Sequence, residues 1–275
     1  MSEWQHAQIE INGHLINYWR TDGDKLPIVM LHGFTEDSST WKELAEALES
    51  RYDVIMPDFI GHGESSRLPV DGKIDLVKDL EVFIDALGLQ KTGLIGHSLG
   101  AAIAAEYTAK HIEKVAALVL EEVPWFDPSA LPQIPQEAVS SNNPTVIARL
   151  AKSSLQEALT YSREHHPSWN EAAHQAWAGS KTRFDAEWFK INRPPQTNWQ
   201  EIAAKITCPT LILNGQTSLG SLLSSAVVIK ALKIMPALEW SNIAGAGHFI
   251  HYDKPVPYIP TVKEFLTHNY APKKA

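Results

Sequence analysis

Thr92-Gly93-Leu94-Ile95-Gly96-His97-Ser98-Leu99-Gly100 is the stretch from which the rest of the chain can be read. Its opening residues form an apolar run of the length of a buried strand. From Leu99 to Lys110, apolar residues recur at the three- and four-residue spacing of a helix. A Gly-x-Ser-x-Gly pentapeptide at such a junction has a physical meaning. The turn is too tight for side chains at Gly96 and Gly100, and its strain lifts the Ser98 hydroxyl into the open. The Leu99 amide then faces the same space from the positive end of a helix. Ser98 is therefore a candidate nucleophile, and Leu99 a candidate donor to an oxyanion.

Working outward, short apolar runs at 28–31, 54–56, 93–95, 115–120 and 210–213 alternate with helical patterns at 40–48, 76–87 and Leu99–Lys110. Runs that are apolar throughout suit parallel strands buried on both faces, so the fold class is α/β with a doubly wound, mostly parallel sheet. Asn12-Gly13, between alternating segments at 6–11 and His14–Arg20, predicts an opening β-hairpin. The rhythm breaks between Pro124 and Trp199, where eight prolines and five of the nine tryptophans fall. Residues 1–123 and 201–275 are expected to make the core domain, and 124–200 an inserted helical cap.

The 275 residues are 44% hydrophobic, enough for a large core, and carry a formal net charge of −8. That charge excludes nucleic acid and anionic membrane surfaces as partners and leaves a small-molecule substrate, with the chain a monomer or homodimer. No basic start followed by an apolar run marks a secretory signal, and no apolar stretch is long enough to span a membrane. A single cysteine, Cys208, cannot form an internal disulfide. A cytoplasmic setting is expected.

Residues 31–34, Leu-His-Gly-Phe, end the third expected strand with a glycine turn that can aim the Phe34 amide at the nucleophile. Residues 245–248, Gly-Ala-Gly-His, follow the apolar segment 238–243 and put His248 on a loop at a strand end. An imidazole suits proton exchange with Ser98 near neutral pH, and His251 is the rival for that role.

Together with the turn Asp58-Phe59-Ile60-Gly61-His62-Gly63-Glu64-Ser65, these motifs resemble the α/β-hydrolase superfamily across the core. Ile60 departs from an arginine common in that turn, which is expected to be structural. The resemblance implies a third catalytic residue, an acid, and most members carry it after the strand at 210–213. Here the aligned position is Ser218, and no Asp or Glu occurs from Ile206 through Leu238. A second location known in the superfamily follows the preceding strand, where Glu121-Glu122 stands. Glu122, 24 positions beyond Ser98, resembles the acid of haloalkane dehalogenases and of fungal zearalenone lactonases. Strand alternation sends Glu121 to the opposite face, and Asp127 is a third possibility.

Trp125, Phe126, His97, Trp177 and Trp188 are candidate substrate contacts, since aromatic residues in a cap can line an apolar pocket; they can equally be its packing. His165, His166 and His174 match no metal-binding spacing and are expected at the surface, and no dinucleotide fingerprint occurs, so neither metal nor cofactor is expected. The leading expectation is a serine hydrolase of a small, largely apolar or aromatic ester or lactone. The alternatives are a cofactor-free dioxygenase of a heteroaromatic substrate, with the His–carboxylate pair as base, and a small-molecule receptor that keeps the hydrolase fold.

Overall fold

The computed structural model describes residues 4–21, 23–69, 74–126, 143–191 and 198–271. Asp127 lies outside the described residues. Eight strands form one sheet: β1 Gln5–Ile11, β2 His14–Arg20, β3 Leu26–Leu31, β4 Tyr52–Pro57, β5 Thr92–His97, β6 Val115–Glu121, β7 Thr210–Asn214 and β8 Leu238–Asn242. Their spatial order is β1-β2-β4-β3-β5-β6-β7-β8. The first hairpin is antiparallel to its neighbours and the others run parallel. Ile28 to Leu31 in β3 are all buried, as a strand covered on both faces requires.

Helices α1 Lys42–Leu48, α2 Leu76–Ala86 and α3 Leu99–Lys110 alternate with these strands. After β6 come α4 Pro144–Leu150, α5 Leu155–His165 and α6 Glu171–Arg183, then a 3₁₀ turn Ala186–Lys190 and α7 Trp199–Ala203. The chain returns to the sheet with α8 Ser225–Leu232, a short α9 Ile250–Asp253 and α10 Pro255–Asn269. The helix expected over 40–48 differs at its start. The Asp37 carboxylate accepts the Ser39 amide and tightens the entry into a 3₁₀ turn, Ser38–Trp41, before α1 begins.

Two apolar clusters cover the two faces of the sheet, one holding Leu94, Leu118 and Ile212, the other Ile95, Val119 and Leu213. Strand order reverses where β3 lies between β4 and β5. In sheets of this kind the crevice at the carboxyl ends of the strands, beside such a reversal, is where ligands sit. Ser98 after β5, Glu122 after β6, residues 32–37 after β3 and His248 after β8 all leave the sheet at that edge.

The turn at 58–65 is held by Asp58, whose buried carboxylate accepts the Ser38 amide, the Glu64 amide and the Asn17 side chain. It thereby ties the first hairpin to the loop after β3.

Candidate active site

Ser98 sits between β5 and α3 at φ 50°, ψ −112°, in a region that residues with a Cβ avoid. Gly96 and Gly100 make that bend possible. A Cβ on Gly100 would fall 2.0 Å from the Leu31 carbonyl oxygen, and one on Gly96 2.5 Å from the Gly100 carbonyl. The bend turns the Ser98 hydroxyl toward the loop after β8.

There His248 lies between two groups. Its Nε2 is 3.0 Å from Ser98 Oγ, and its Nδ1 is 3.2 Å from Glu122 Oε2. A carboxylate only accepts, so Nδ1 carries the hydrogen and Nε2 is left to accept from the serine. The ring keeps 12% of its surface exposed, whereas Glu122 has none.

Glu122 is held from every side. Its Oε1 accepts the Gly215 amide at 2.8 Å and the Ser221 hydroxyl at 2.7 Å, and its Oε2 accepts the Leu222 amide at 2.7 Å. All three donors belong to the loop after β7, where the superfamily's acid usually stands. That loop, stripped of carboxylates, supplies donors to a carboxylate from the neighbouring strand. Glu122 has φ 51°, another strained backbone at the centre of the site.

For the oxyanion, Leu99 is the first residue of α3, so its amide has no acceptor within the helix. Phe34 follows β3, and its ring packs edge-on against His62, Phe184, Trp188 and Phe189 at centroid distances of 5.3 to 6.0 Å.

A second, wholly buried cluster lies behind the triad-like group, and sequence reasoning missed it. Glu36 Oε2 accepts the Gly33 amide at 2.8 Å and lies 2.7 Å from His97 Nδ1. His251 Nδ1 is 2.7 Å from Glu121 Oε1, and its Nε2 is 3.5 Å from Glu36 Oε1. Burial alone would lift both carboxylates. The charges of His97 and His251 and the hydrogen bonds outweigh it, holding Glu36 well below the usual carboxylate range and Glu121 below it. Burial would lower both imidazoles, yet the two glutamates raise His97 and push His251 up to about 10. Among the described residues, Glu36, His97 and His251 are also the group whose ligand atoms lie close enough to hold a metal ion.

The remaining expected site residues are placed as follows. His97 is buried, with Glu36 and the His248 carbonyl as neighbours; the structure turns it inward, away from a substrate's reach. Trp125 stacks on Trp199 at 5.2 Å, and the Trp199 indole donates to the Phe126 carbonyl. Trp188 donates to the Ile60 carbonyl at 2.9 Å and is buried. Trp177 is fully buried against Tyr161, His166 and Trp169. Of the three histidines expected at the surface, only His165 is exposed. His166 stacks on Trp169 at 3.8 Å and is pushed down to about 4 by burial, and His174 is buried against the Ser162 hydroxyl. His166 is drawn in by stacking on Trp169, and His174, on α6, by its contact with Ser162 on α5.

Lys181, on α6, was not foreseen. Fully buried, its ammonium lies over the Trp177 ring at 4.7 Å and donates to the Thr35 carbonyl at 2.9 Å. Burial brings it down to about 8, with Glu36 and Asp37 opposing. Arg183, two residues on and the last of α6, donates to Asp37. The end of α6 is thus clamped to the loop that presents Phe34.

This geometry defines a protein class that the comparisons bear out. The family model of the alpha/beta hydrolase fold matches residues 27–255, and the chain belongs to that family. It is similar to the soluble epoxide hydrolase of Corynebacterium sp. (strain C12), at 25% identity covering 96% of this chain and 98% of the relative. It is also similar to the cis-3-alkyl-4-alkyloxetan-2-one decarboxylase of Shewanella oneidensis, at 28% identity over 93% of this chain and 86% of the relative. Among solved structures, an N-formylmaleamic acid deformylase from Pseudomonas putida S16 superposes with a TM-score of 0.77 at 18% identity, covering 94% of this chain and all of that one, a likeness of fold. The chain is a hydrolase-fold enzyme. Among the described residues, no helix is long and apolar enough to cross a membrane.

Proposed function

We propose that this enzyme cleaves a small, largely apolar carboxylic ester or lactone through an acyl-enzyme on Ser98, with His248 as base and Glu122 as its orienting acid. The observation that carries this is the His248 ring, within hydrogen-bond reach of Ser98 on one side and Glu122 on the other. Attack proceeds with transfer of the Ser98 proton to His248 Nε2, while Glu122 stabilises the resulting imidazolium. The tetrahedral oxygen takes its negative charge toward the Leu99 and Phe34 amides, each such donor lowering the barrier by about 2.7–4 kcal/mol. His248 then returns the proton to the leaving alkoxide. In a second half-reaction it activates water to release the acid.

The lactone part of this reading has support from the Shewanella relative, whose name carries an oxetan-2-one, a four-membered lactone. The apolar preference rests on Phe34 and Phe189, half-buried rings packed edge-on beside the expected oxyanion amide. The test is pre-steady-state release of p-nitrophenol from p-nitrophenyl butyrate. A burst equal to the enzyme concentration is expected, with Ser98→Ala abolishing it. Near-normal turnover by that variant would overturn the assignment, as would a strict need for dissolved oxygen or tight ligand binding without product.

A further inference from the structure

We propose that His97, held as an imidazolium by Glu36 and the His248 carbonyl, is a positioning residue that fixes the His248 loop for proton transfer from Ser98. This rests on the reading of Ser98 and His248 given above. The argument begins with hydrogen-bond roles. His97 Nε2 is 2.9 Å from the His248 carbonyl oxygen, which can only accept, so Nε2 carries a hydrogen. His97 Nδ1 is 2.7 Å from Glu36 Oε2. That oxygen also receives the Gly33 amide, and Glu36 Oε1 receives the Thr40 hydroxyl at 3.0 Å. Two donors other than the ring, the Gly33 amide and the Thr40 hydroxyl, converge on one carboxyl group, which favours its ionised form and leaves the proton on Nδ1. Both ring nitrogens then donate, and the ring is cationic.

The same ring joins segments that must be in register for catalysis. His97 is the residue before Ser98. Glu36 holds Gly33, next to Phe34. The His248 carbonyl ties the base's own backbone to the ring, with the His97 and His248 rings 4.8 Å apart. His251, three residues beyond the base, is bonded through both its amide and its Nδ1 to Glu121, next to Glu122. The charged groups around His97 are therefore Glu36, Glu121, His251 and, from α6, Lys181, which feels the Glu36 charge. Two carboxylates against two imidazolium rings balance within the four-residue cluster, while the Lys181 ammonium lies outside it, on the Thr35 carbonyl and over the Trp177 ring. A neutral residue at position 97 would satisfy one acceptor and strand the other. Freed of its anchor, the His248 backbone could drift, and a displacement of about 1 Å costs on the order of 100-fold in rate.

The experiment has two arms. In the first, long-range proton–nitrogen correlation spectra of the ¹⁵N-histidine-labelled wild-type enzyme at pH 8, assigned by comparison with His97→Gln, should show hydrogens on both ring nitrogens of His97. A single protonated nitrogen, or a metal ion bound there in place of the Nδ1 hydrogen, overturns the proposal. In the second, His97→Gln and the charge-neutral pair His97→Gln/Glu36→Gln are compared with wild type for kcat and KM on p-nitrophenyl butyrate and for the rate at which a fluorophosphonate labels Ser98. Both variants should lose about 10- to 100-fold in kcat and in labelling, with KM little changed; the double variant, lacking a stranded buried charge, keeps the test alive if the single one does not fold. A folded variant with wild-type kcat overturns the positioning role alone. Turnover retained by Ser98→Ala run in parallel instead brings down the serine-hydrolase reading, and the positioning role with it.

Discussion

His248 with Glu122 and His251 with Glu121 are the same pair of side chains built twice, the histidines three residues apart on the loop after β8 and on α9, the glutamates adjacent at one strand end. Their fates differ. The Glu122 pair is the looser, at 3.2 Å, and its histidine keeps an exposed edge and an Nε2 directed at a hydroxyl. The Glu121 pair is tighter, at 2.7 Å, and the far nitrogen of its histidine faces Glu36 and Thr40 inside the protein. A histidine–carboxylate pair is thus not catalytic by composition. What the second nitrogen faces, and whether a reactant can reach it, decides between a base and a buried tie.

The contrast can be broken most severely at the nucleophile. Ser98→Ala is expected to cost about 10⁴-fold or more in kcat, read by steady-state ester hydrolysis, with the melting temperature almost unmoved. Glu122→Gln should cost about 10³- to 10⁴-fold, because the amide misorients the His248 ring and no longer stabilises its charge. Glu121→Gln should reverse the pattern. It strands the His251 cation and lowers unfolding free energy by about 3–5 kcal/mol in urea titrations, with a far smaller drop in kcat than Glu122→Gln. Equal kcat losses in the two variants would dissolve the comparison.

A finer test uses pH. His97 and His251 have raised values in the folded protein, so their contribution is complete below the unfolded value of about 6.5 and is lost as pH climbs, for His251 toward about 10. Glu36 and Glu121 have lowered values, so theirs is complete above about 4.3 and is lost as pH falls further. The stability gap between wild type and Glu121→Gln/His251→Gln should therefore be widest between about pH 4.5 and 6.5 and shrink on the alkaline side. A gap that widens from pH 7 to 9 would contradict the charge assignment. The smallest effect is expected for Ser221→Ala, which removes one donor from Glu122 and should cost about 1–3 kcal/mol of stability and a few-fold in kcat.

Much of the fold was legible because each element is locally encoded. β2 and α3 fall at the residues that alternation and helical spacing indicate, and the Asn12-Gly13 turn joins β1 to β2. The contact of Ser98 with His248 was legible through the glycines beside each, and that of His248 with Glu122 through the lack of any carboxylate on the loop after β7. The Glu36, His97, His251 and Glu121 cluster was not, since its members come from four separate segments and no local pattern says which will meet. The one available signal was chemical: ionisable residues at strand ends whose neighbours are apolar must find partners. The tryptophans stayed ambiguous for the opposite reason. Burial and ligand contact call for the same side chain, and only packing distinguishes them.

β6 and β7 are direct neighbours, paired from Leu118 with Thr210 to Glu121 with Leu213. A carboxylate leaving either strand therefore arrives at nearly the same point beside the imidazole. A carboxylate can move from one strand end to the other without rebuilding the histidine's loop, provided the vacated turn supplies hydrogen-bond donors, as Gly215, Ser221 and Leu222 do here. In such enzymes the acid is a location in space with two possible addresses along the chain.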